Sequence, residues 1–247
     1  MDKALLKERF RKAASSYETE AITQREIAGK LWSMTQPVID PHNCTEILEI
    51  GCGTGFLTRN YIDLIGERIT LNDIYDISAK FSNTDKTRFL IGDAEQTEWN
   101  SSFDLILSAS TIQWFCNLDT FFAKCNESLN PDGVIALSTF GPQNFIEVRE
   151  SGGKSLNYMS MEELTEKFSA HFNIIAVKEE TISLRFPDVR SILRHIKNTG
   201  VMGGLGSGAS LRELIAFENR FKTLWMHHGY APLTYHPVYL IGKKKER

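Results

Sequence analysis

A carboxylate two residues ahead of a run of alternating glycines is the feature of this sequence best suited to chemistry. The run Gly51-Cys52-Gly53-Thr54-Gly55 directly follows a strand-like apolar segment that contains Glu49. Glycine accepts positive φ angles and allows a ligand to approach the main chain closely. The spacing therefore predicts a buried strand, a ligand-binding turn made by these five residues, and then a helix.

The residues on either side of the glycine turn distinguish between two nucleotide-like ligands. A dinucleotide-binding GxGxxG motif would need its third glycine at position 56, where the sequence has Phe56. Glu49 would repel a pyrophosphate, whereas it would attract the sulfonium and the α-ammonium of S-adenosylmethionine. The turn, with Glu49, Gly51, Cys52, Gly53 and Gly55 as binding residues, therefore favours S-adenosylmethionine, with S-adenosylhomocysteine as its product.

Acidic residues end the next two predicted strands. Asp73 follows the segment 68–72, and its carboxylate is expected to accept from both ribose hydroxyls, with Ile74 beside it. Asp93 and Ala94 follow the segment 87–91, and they are expected to meet the adenine ring. The structural alternatives are a helix N-cap for Asp73 and an Asx-turn for Asp93.

The fourth predicted strand, 103–108, ends in a short polar and aromatic run. Ser108 and Gln113 are predicted to contact the methyl donor, and Trp114 is predicted to form a wall of the acceptor site. A simple core position is the alternative for Trp114.

Apolar strand-like runs alternate with helical stretches along the middle of the chain. Because the carboxyl ends of parallel strands meet at one edge of a sheet, this alternation would bring the motif residues together. The predicted fold is α/β: a Rossmann-like, seven-stranded, mostly parallel sheet with an antiparallel last strand, N-terminal helices and a helical insertion between the sixth and seventh strands.

Four segments are predicted from the pattern of helices, strands and breakers. They are a helical lid (1–40), a ligand-binding core (41–184), a helical insertion over the site (185–232), and the final strand with a basic tail (233–247). Single strands are expected at 173–183 and 234–242, and a glycine-rich stretch, 203–208, is predicted to be a flexible joint inside the insertion.

Composition excludes several classes of partner. Lys plus Arg number 28 against 31 Asp plus Glu, so the net charge of -3 gives no general attraction to nucleic acid. The four cysteines have no metal-ligand spacing, and no metal is expected. No apolar run reaches the ~20 residues that span a bilayer, and the N-terminus lacks a leader-like apolar segment. A cytoplasmic protein without membrane contact is expected.

The acceptor of a methyl group is less clearly marked. The Asn/Asp-Pro-Pro-Tyr/Phe signature of base methylation is absent, and an amine or hydroxyl acceptor would call for a base. His236 is the best candidate for a base, with a packing or hydrogen-bonding role as the alternative. A carboxylate is already ionised at neutral pH, so a carboxylate acceptor suits this set of residues.

Taken together, the motifs from Thr45 to about Gly141 resemble those of the class I methyltransferases. A narrower resemblance extends over nearly the whole chain, to the malonyl-acyl-carrier-protein O-methyltransferases of biotin synthesis (the BioC family). It is carried by three segments: Arg9–Glu18 with Gln24, Ser138–Phe145, and Leu233–Tyr239.

This resemblance implies that the chain esterifies the free carboxylate of a malonyl thioester held by acyl carrier protein or by coenzyme A. Tyr17 and Gln24 would then bind the methyl donor, with Tyr17 closing as a lid, and Tyr17 and His236 would position the reactants. The candidate substrate-binding residues are Trp114, Phe145, Arg149, Tyr158 and Arg194.

The predicted insertion carries a set of basic residues in a mildly acidic protein: Arg185, Arg190, Arg194, His195, Lys197 and Arg212. A basic rim would steer and hold an acidic carrier protein, whereas the alternative is an ordinary solvated helix face. Two other functions stay open. One is methylation of a free small acid such as trans-aconitate, and the other is a non-catalytic, S-adenosylmethionine-binding regulatory protein.

Overall fold

The computed structural model describes residues 3–78, 81, 85–200, 209–227 and 229–246. The α-helices of this part are α1 (Lys3–Glu20), α2 (Ile22–Thr35), α3 (Thr58–Tyr61), α4 (Leu118–Ser128), α5 (Ile146–Glu150), α6 (Met161–His171), α7 (Val189–Asn198) and α8 (Leu211–Trp225). The strands are β1 (Glu46–Ile50), β2 (Arg68–Asp73), β3 (Thr87–Ile91), β4 (Phe103–Ala109), β5 (Leu129–Phe140), β6 (Phe172–Glu179), β7 (Ile182–Phe186), β8 (Ala231–Tyr235) and β9 (Pro237–Lys244).

Seven strands form the main sheet in the order β3-β2-β1-β4-β5-β9-β6. Strands β1 to β5 pair in parallel, and β9 runs antiparallel to both β5 and β6. The strand order reverses beside β1, so the segments after β1 and β4 leave the same edge of the sheet on either side of a crevice. The predicted α/β fold, with its antiparallel last strand, is confirmed.

The central strands are apolar on both faces because helices cover both sides of the sheet. Ile47 and Leu105 face a cluster that includes α2 and α7, whereas Leu48 and Ile106 face a second cluster that includes α4 and α6. All four side chains are fully buried. Complete burial of such a side chain contributes about 1.5–3 kcal/mol, so these strands anchor the sheet edge that carries the motifs.

Four strands occupy the two regions where single strands are predicted. The segment 173–183 divides at Glu180, whose N–H donates to the Pro237 carbonyl (3.1 Å) and whose carboxylate pairs with Lys30. The segment 234–242 divides at His236, before Pro237, which lacks an N–H and begins β9. Because the chain leaves the main sheet at these two points, β7 and β8 form a separate two-stranded sheet.

Helices α7 and α8 lie between β7 and β8 in the chain, which confirms the predicted helical insertion. The glycine-rich stretch 203–208 lies outside the described residues. Residues 129–133 form an irregular part of β5, where the pairing with β4 shifts register and Asp132 has a φ of 61°. No helix among the described residues has the length and apolarity to cross a membrane.

Candidate active site

The glycine turn after β1 has the positive φ angles that its glycines allow. Gly51, Gly53 and Gly55 have φ angles of 66°, 52° and 86°, a region that favours glycine. A Cβ added to Gly51 would overlap the hydroxyl and methyl of Thr111, whereas one added to Gly53 would meet no atom within 4 Å. Position 51 thus requires glycine for two reasons, the positive φ angle and the close approach of the Thr111 side chain.

A cleft lies over this turn, at the carboxyl edge of the sheet. Its larger part encloses about 790 Å³ of space, some of it open to solvent, and a smaller adjoining part encloses about 330 Å³. The two parts share Tyr17, Gly51, Gly53, Thr54, Ala109 and Ser110 as lining residues. The ends of β2, β3 and β4 complete the larger part, and Gln24, Glu49 and Cys52 line the smaller one.

Asp73 lines the larger part of the cleft and is tied to the glycine turn. Its carboxylate accepts from the Gly53 N–H at 2.8 Å and from the Tyr75 N–H at 3.3 Å. Burial raises the pKa of Asp73 to about 6, although these backbone hydrogen bonds act in the opposite direction. A ligand with hydroxyl groups would supply further donors to this carboxylate.

Glu49 lines the smaller part of the cleft and is only 1% exposed. Its Oε2 accepts hydrogen bonds from the Thr58 hydroxyl (2.7 Å) and the Tyr61 hydroxyl (2.6 Å). Burial raises the pKa of Glu49 to about 7, against the effect of these two donors. A buried carboxylate of this kind disfavours an anionic ligand and favours a cationic one.

The far end of the larger part contains Asp93 and Ala94. Both Asp93 carboxylate oxygens accept from the Lys3 ammonium of α1, at 2.7 and 2.6 Å, and the same ammonium pairs with Glu95. Helix α1 therefore crosses over this end of the cleft. Ile74 also lines it, beside Asp73.

Helix α1 and its neighbours form an aromatic cover over the cleft. The Tyr17 ring stacks on Phe56, with the ring centroids 5.4 Å apart and the planes at 20°. Phe10 packs edge-on against Trp114, with centroids 5.7 Å apart, and both line the larger part. Burial raises the pKa of the Tyr17 hydroxyl, so this residue is a neutral phenol.

Three buried side-chain oxygens on the cleft wall have no hydrogen-bond partner within the protein. They belong to Gln24 (Oε1), Thr54 (Oγ1) and Ser110 (Oγ), and all three residues line the smaller part. Buried polar atoms are rarely left unpaired. Their grouping at one place fits a ligand with several polar groups, such as the amino-acid half of S-adenosylmethionine.

Several residues predicted to bind a ligand lie outside the cleft lining. Ser108 is fully buried and donates to the Ile50 carbonyl, and the Gln113 amide donates to the Ser110 carbonyl. Gly55 shapes the turn, and a Cβ there would meet Phe81. Phe145 is fully buried and packs edge-on against Tyr235.

The remaining substrate candidates lie near one another or at the surface. The Tyr158 hydroxyl accepts from the Asn144 amide at 2.9 Å. Burial raises the pKa of Tyr158 to about 12, and the hydrogen bonds with Asn144 and Ser155 and the charge of Arg149 act in the opposite direction. Arg149 is exposed on α5, and Arg194 is exposed on α7.

The structure places His236 away from the cleft and uses both of its ring nitrogens. Nδ1 accepts from the Gln143 N–H at 3.1 Å, and Nε2 lies 3.0 Å from a Glu179 carboxylate oxygen. Since Nδ1 is an acceptor, the proton of the neutral ring is on Nε2 and points to Glu179. His236 thus links β6 to the loop after β5 through hydrogen bonds. Of the roles that the sequence allows for it, a base or a packing or hydrogen-bonding residue, this arrangement fits the hydrogen-bonding one.

The basic residues of the insertion do not form one uniform surface. Arg190 pairs with Glu218 of α8 at 2.6 Å, and the Arg185 guanidinium lies 4.7 Å from the centroid of the Tyr230 ring. His195 is buried, and burial lowers its pKa, so it is not one of the surface cations. Arg194, Lys197 and Arg212 are exposed.

Sequence reasoning missed several residues of the cleft. Lys3, Leu6 and Phe10 line it together with Tyr17, at helical spacings of three, four and seven residues. This spacing places the four side chains on one face of α1, and it could have extended the prediction for Tyr17 along the helix. Within the described residues, no group of three or more His, Cys, Asp or Glu side chains is arranged to hold a metal ion.

The sheet order, the glycine turn after β1 and the acidic residues at the carboxyl ends of β2 and β3 define a class I methyltransferase. Residues 48–137 match the family model for a methyltransferase domain. Among solved structures, the fold is similar to the YcgJ protein of Bacillus subtilis (TM-score 0.58, 16% identity, 88% of this chain and 98% of that one). It is also similar to the N-methyltransferase NodS of Bradyrhizobium japonicum in complex with S-adenosylhomocysteine (TM-score 0.51, 14% identity, 94% and 99%).

Full-length relatives identify the family. The chain is 40% identical to the malonyl-[acyl-carrier protein] O-methyltransferase of Bacteroides thetaiotaomicron, over 100% of both chains. It is 32% identical to that of Acinetobacter baylyi, over 99% and 98%. The chain belongs to the malonyl-[acyl-carrier protein] O-methyltransferase family. The relative from Bacteroides fragilis, 38% identical over 98% of this chain, is longer, and the chain spans 51% of it.

Proposed function

We propose that this chain transfers a methyl group from S-adenosylmethionine to the free carboxylate of a malonyl thioester carried by acyl carrier protein. The observation that carries the proposal is the full-length similarity to curated enzymes of that name, combined with a cleft whose walls suit a cationic methyl donor. Such an enzyme provides a methyl ester for an early step of biotin synthesis.

The cleft fits the methyl donor in the chemistry of its walls. We assign Asp73 to the ribose, Asp93 and Ala94 to the adenine, and Glu49 with the three unpartnered oxygens to the amino-acid group, and the proposal is supported by their presence on the cleft wall. When bound, S-adenosylmethionine supplies a methyl group to a nucleophile. The protein's part is to hold the two reactants in line and to exclude water, and the aromatic cover formed by Tyr17, Phe10 and Trp114 suits that role.

The titratable groups of the cleft also suit a carboxylate acceptor. No histidine lies among the described residues that line it, and Lys3, the one lysine there, is paired with Asp93 and Glu95. A carboxylate is ionised at neutral pH and needs no base, unlike an amine or a hydroxyl. The acceptor chemistry implied by the relatives therefore agrees with the side chains present.

On the acceptor side, we assign the carrier-protein contact to the exposed cations of α7 and α8. Arg194 and Arg212 are exposed there, and an acidic carrier would be attracted to them. Arg149, whose guanidinium acts against the raised pKa of Tyr158, is our candidate to meet the malonyl carboxylate.

The test has two stages. Calorimetry with S-adenosylhomocysteine establishes whether the cleft binds the product of the methyl donor. Initial rates are then compared for malonyl acyl carrier protein, malonyl coenzyme A, free malonate and trans-aconitate. We expect the carrier-bound substrate to have the highest kcat/KM. A higher kcat/KM for trans-aconitate would make the chain a small-acid methyltransferase, and binding without turnover of any acceptor would make it a regulatory protein.

A further inference from the structure

The side chain of Arg59, on α3, joins helix α1 to the glycine turn. Its Nη2 donates to a Glu18 carboxylate oxygen at 2.5 Å and to the Thr54 carbonyl oxygen at 2.9 Å. Glu18 belongs to the last turn of α1, and Thr54 lies between Gly53 and Gly55 in the glycine turn. One guanidinium nitrogen therefore contacts both the helix that covers the cleft and the turn over which the cleft lies.

The Phe56 ring, directly after the turn, lies at the centre of this cluster. Tyr17 stacks on it, and the guanidinium carbons of Arg25 and Arg59 lie 4.9 and 5.9 Å from its centroid. A cation near an aromatic ring is attracted by the charge distribution of the ring. Tyr17 of α1 is thus packed on a ring whose other contacts in the cluster come from α2 and α3.

The main chain at the end of α1 is held by different hydrogen bonds. The Arg25 Nη2 donates to the Glu18 carbonyl oxygen at 2.6 Å, and the Ala21 N–H donates to the Tyr17 carbonyl oxygen at 2.9 Å. The last carbonyls of a helix have no partner within the helix, so these bonds stabilise its final turn. Because they do not involve the Glu18 carboxylate, the effect of the carboxylate can be tested separately.

The ion pair between Glu18 and Arg59 differs from an ordinary surface pair in what it connects. Its side chains are 42% and 51% exposed, and an exposed pair adds little to the stability of a fold. Neither residue belongs to the lining of the cleft, but Glu18 directly follows Tyr17, and Tyr17 and Thr54 both line its two parts. The pair therefore connects two residues of the cleft wall from outside the cleft.

We propose that Glu18 and Arg59 are positioning residues for the methyl donor. Arg59 anchors the Glu18 carboxylate to the glycine turn, and the anchored end of α1 holds the Tyr17 ring at the donor. The proposal rests on the proposed use of S-adenosylmethionine. Both charged groups act through Tyr17, and neither touches the donor itself. Because the pair is exposed, salt screens its contribution to binding.

The test is calorimetric binding of S-adenosylhomocysteine to the full chain carrying Glu18→Gln, which keeps the length of the side chain and removes its charge. We expect the Kd to rise about threefold, the effect of one exposed ion pair. Arg59→Gln also loses the bond to Thr54 and should raise the Kd about tenfold. Glu8→Gln is the matched control, because Glu8 pairs with Arg11 of the same helix at 2.8 Å. The control should keep wild-type affinity.

Two further backgrounds separate the positioning of Tyr17 from other effects of the lost charge. Tyr17→Ala lacks the ring, and Arg59→Gln lacks the anchor. Adding Glu18→Gln to either variant should therefore change the Kd by less than about 1.5-fold. The Kd values of the wild type and of Glu18→Gln should also converge in about 1 M sodium chloride, where the Debye length is about 3 Å.

Equal Kd values for Glu18→Gln and Glu8→Gln would overturn the proposal, because the pair with Arg59 would then be an ordinary surface pair. So would a rise in Kd that persists when Glu18→Gln is added to Tyr17→Ala, because Glu18 would then act on the cleft without the ring. If the wild type does not bind S-adenosylhomocysteine, the proposed function falls, and this inference with it. Wild-type binding with an unchanged Glu18→Gln overturns the inference alone.

Discussion

Gly51 and Gly53 differ in surroundings although they share a turn and a positive φ, and this difference gives a quantitative prediction. An alanine at either position would have its backbone in the left-handed region. At Gly51 the added Cβ would also overlap the Thr111 hydroxyl and methyl and would lie 2.8 Å from the Thr111 Cβ. At Gly53 the added Cβ would meet open space.

The left-handed conformation costs a non-glycine residue about 1–2 kcal/mol, and this is the whole expected loss of unfolding free energy for Gly53→Ala. Overpacking against a fixed neighbour adds about 1–3 kcal/mol. Gly51→Ala should therefore lose about 2–5 kcal/mol. In a chain of this length each kcal/mol lowers Tm by about 2–4 °C.

The assay is urea denaturation of both single variants, combined with Thr111→Ala in a double-mutant cycle. Thr111→Ala removes the two overlapping atoms, so the Gly51→Ala loss should shrink by about 1 kcal/mol or more in the double variant. The Gly53→Ala and Thr111→Ala losses should add, and this pair is the control. Equal losses at the two glycines, or strict additivity for Gly51 and Thr111, would refute the reasoning.

Three further predictions concern the cleft and its partner. Glu49→Gln keeps an acceptor for Thr58 and Tyr61 but removes a charge whose folded pKa is raised from 4.5 to about 7. That charge disfavours folding above about pH 7 and ceases to matter as pH falls below 4.5. The unfolding free energy of Glu49→Gln without ligand should thus exceed that of the wild type by roughly 3 kcal/mol at pH 8. The variant should also bind S-adenosylhomocysteine more weakly. A variant less stable than the wild type at pH 8 would contradict the conclusion that burial raises the pKa of Glu49. Tyr17→Ala loses the stacking on Phe56 and should raise the Kd for S-adenosylhomocysteine about tenfold. Tyr17→Phe keeps the ring and should retain wild-type affinity. A similar loss of affinity in both variants would show that the hydroxyl, and not the ring, contributes to binding. Arg194→Glu should raise the KM for malonyl acyl carrier protein several-fold more than the KM for S-adenosylmethionine. The control Arg88→Glu, on β3, should not show this difference between the two substrates. Equal effects of the two variants on the KM for the carrier protein would show that Arg194 is not part of the docking surface.

The sheet and the glycine turn could be predicted because their determinants are local in sequence. The apolar run before Gly51 needs burial on both faces, and the glycines need positive φ. The strand bounds at 87–91 agree with the structure for the same reason, since local strand propensity marks them.

The parts that could not be predicted depend on contacts between distant residues. His195 reads as one cation of a basic helix, and only its burial against Tyr235 shows a polar core contact. In the sequence His236 is the best candidate for a base, but its ring nitrogens have Gln143 and Glu179 as partners, 93 and 57 residues away in the chain. The breaks at Glu180 and His236, where each predicted single strand is in fact two strands, likewise depend on which of the two sheets each part of the chain joins.

The central claim is that the chain esterifies a carrier-bound malonyl group with the methyl of S-adenosylmethionine. The most direct measurement is intact mass spectrometry of malonyl acyl carrier protein after incubation with the enzyme and the methyl donor. We predict a mass increase of one methylene group, confined to the prosthetic arm and lost on mild alkaline hydrolysis of the ester. An unchanged carrier mass, under conditions in which the enzyme binds S-adenosylhomocysteine, would contradict the claim.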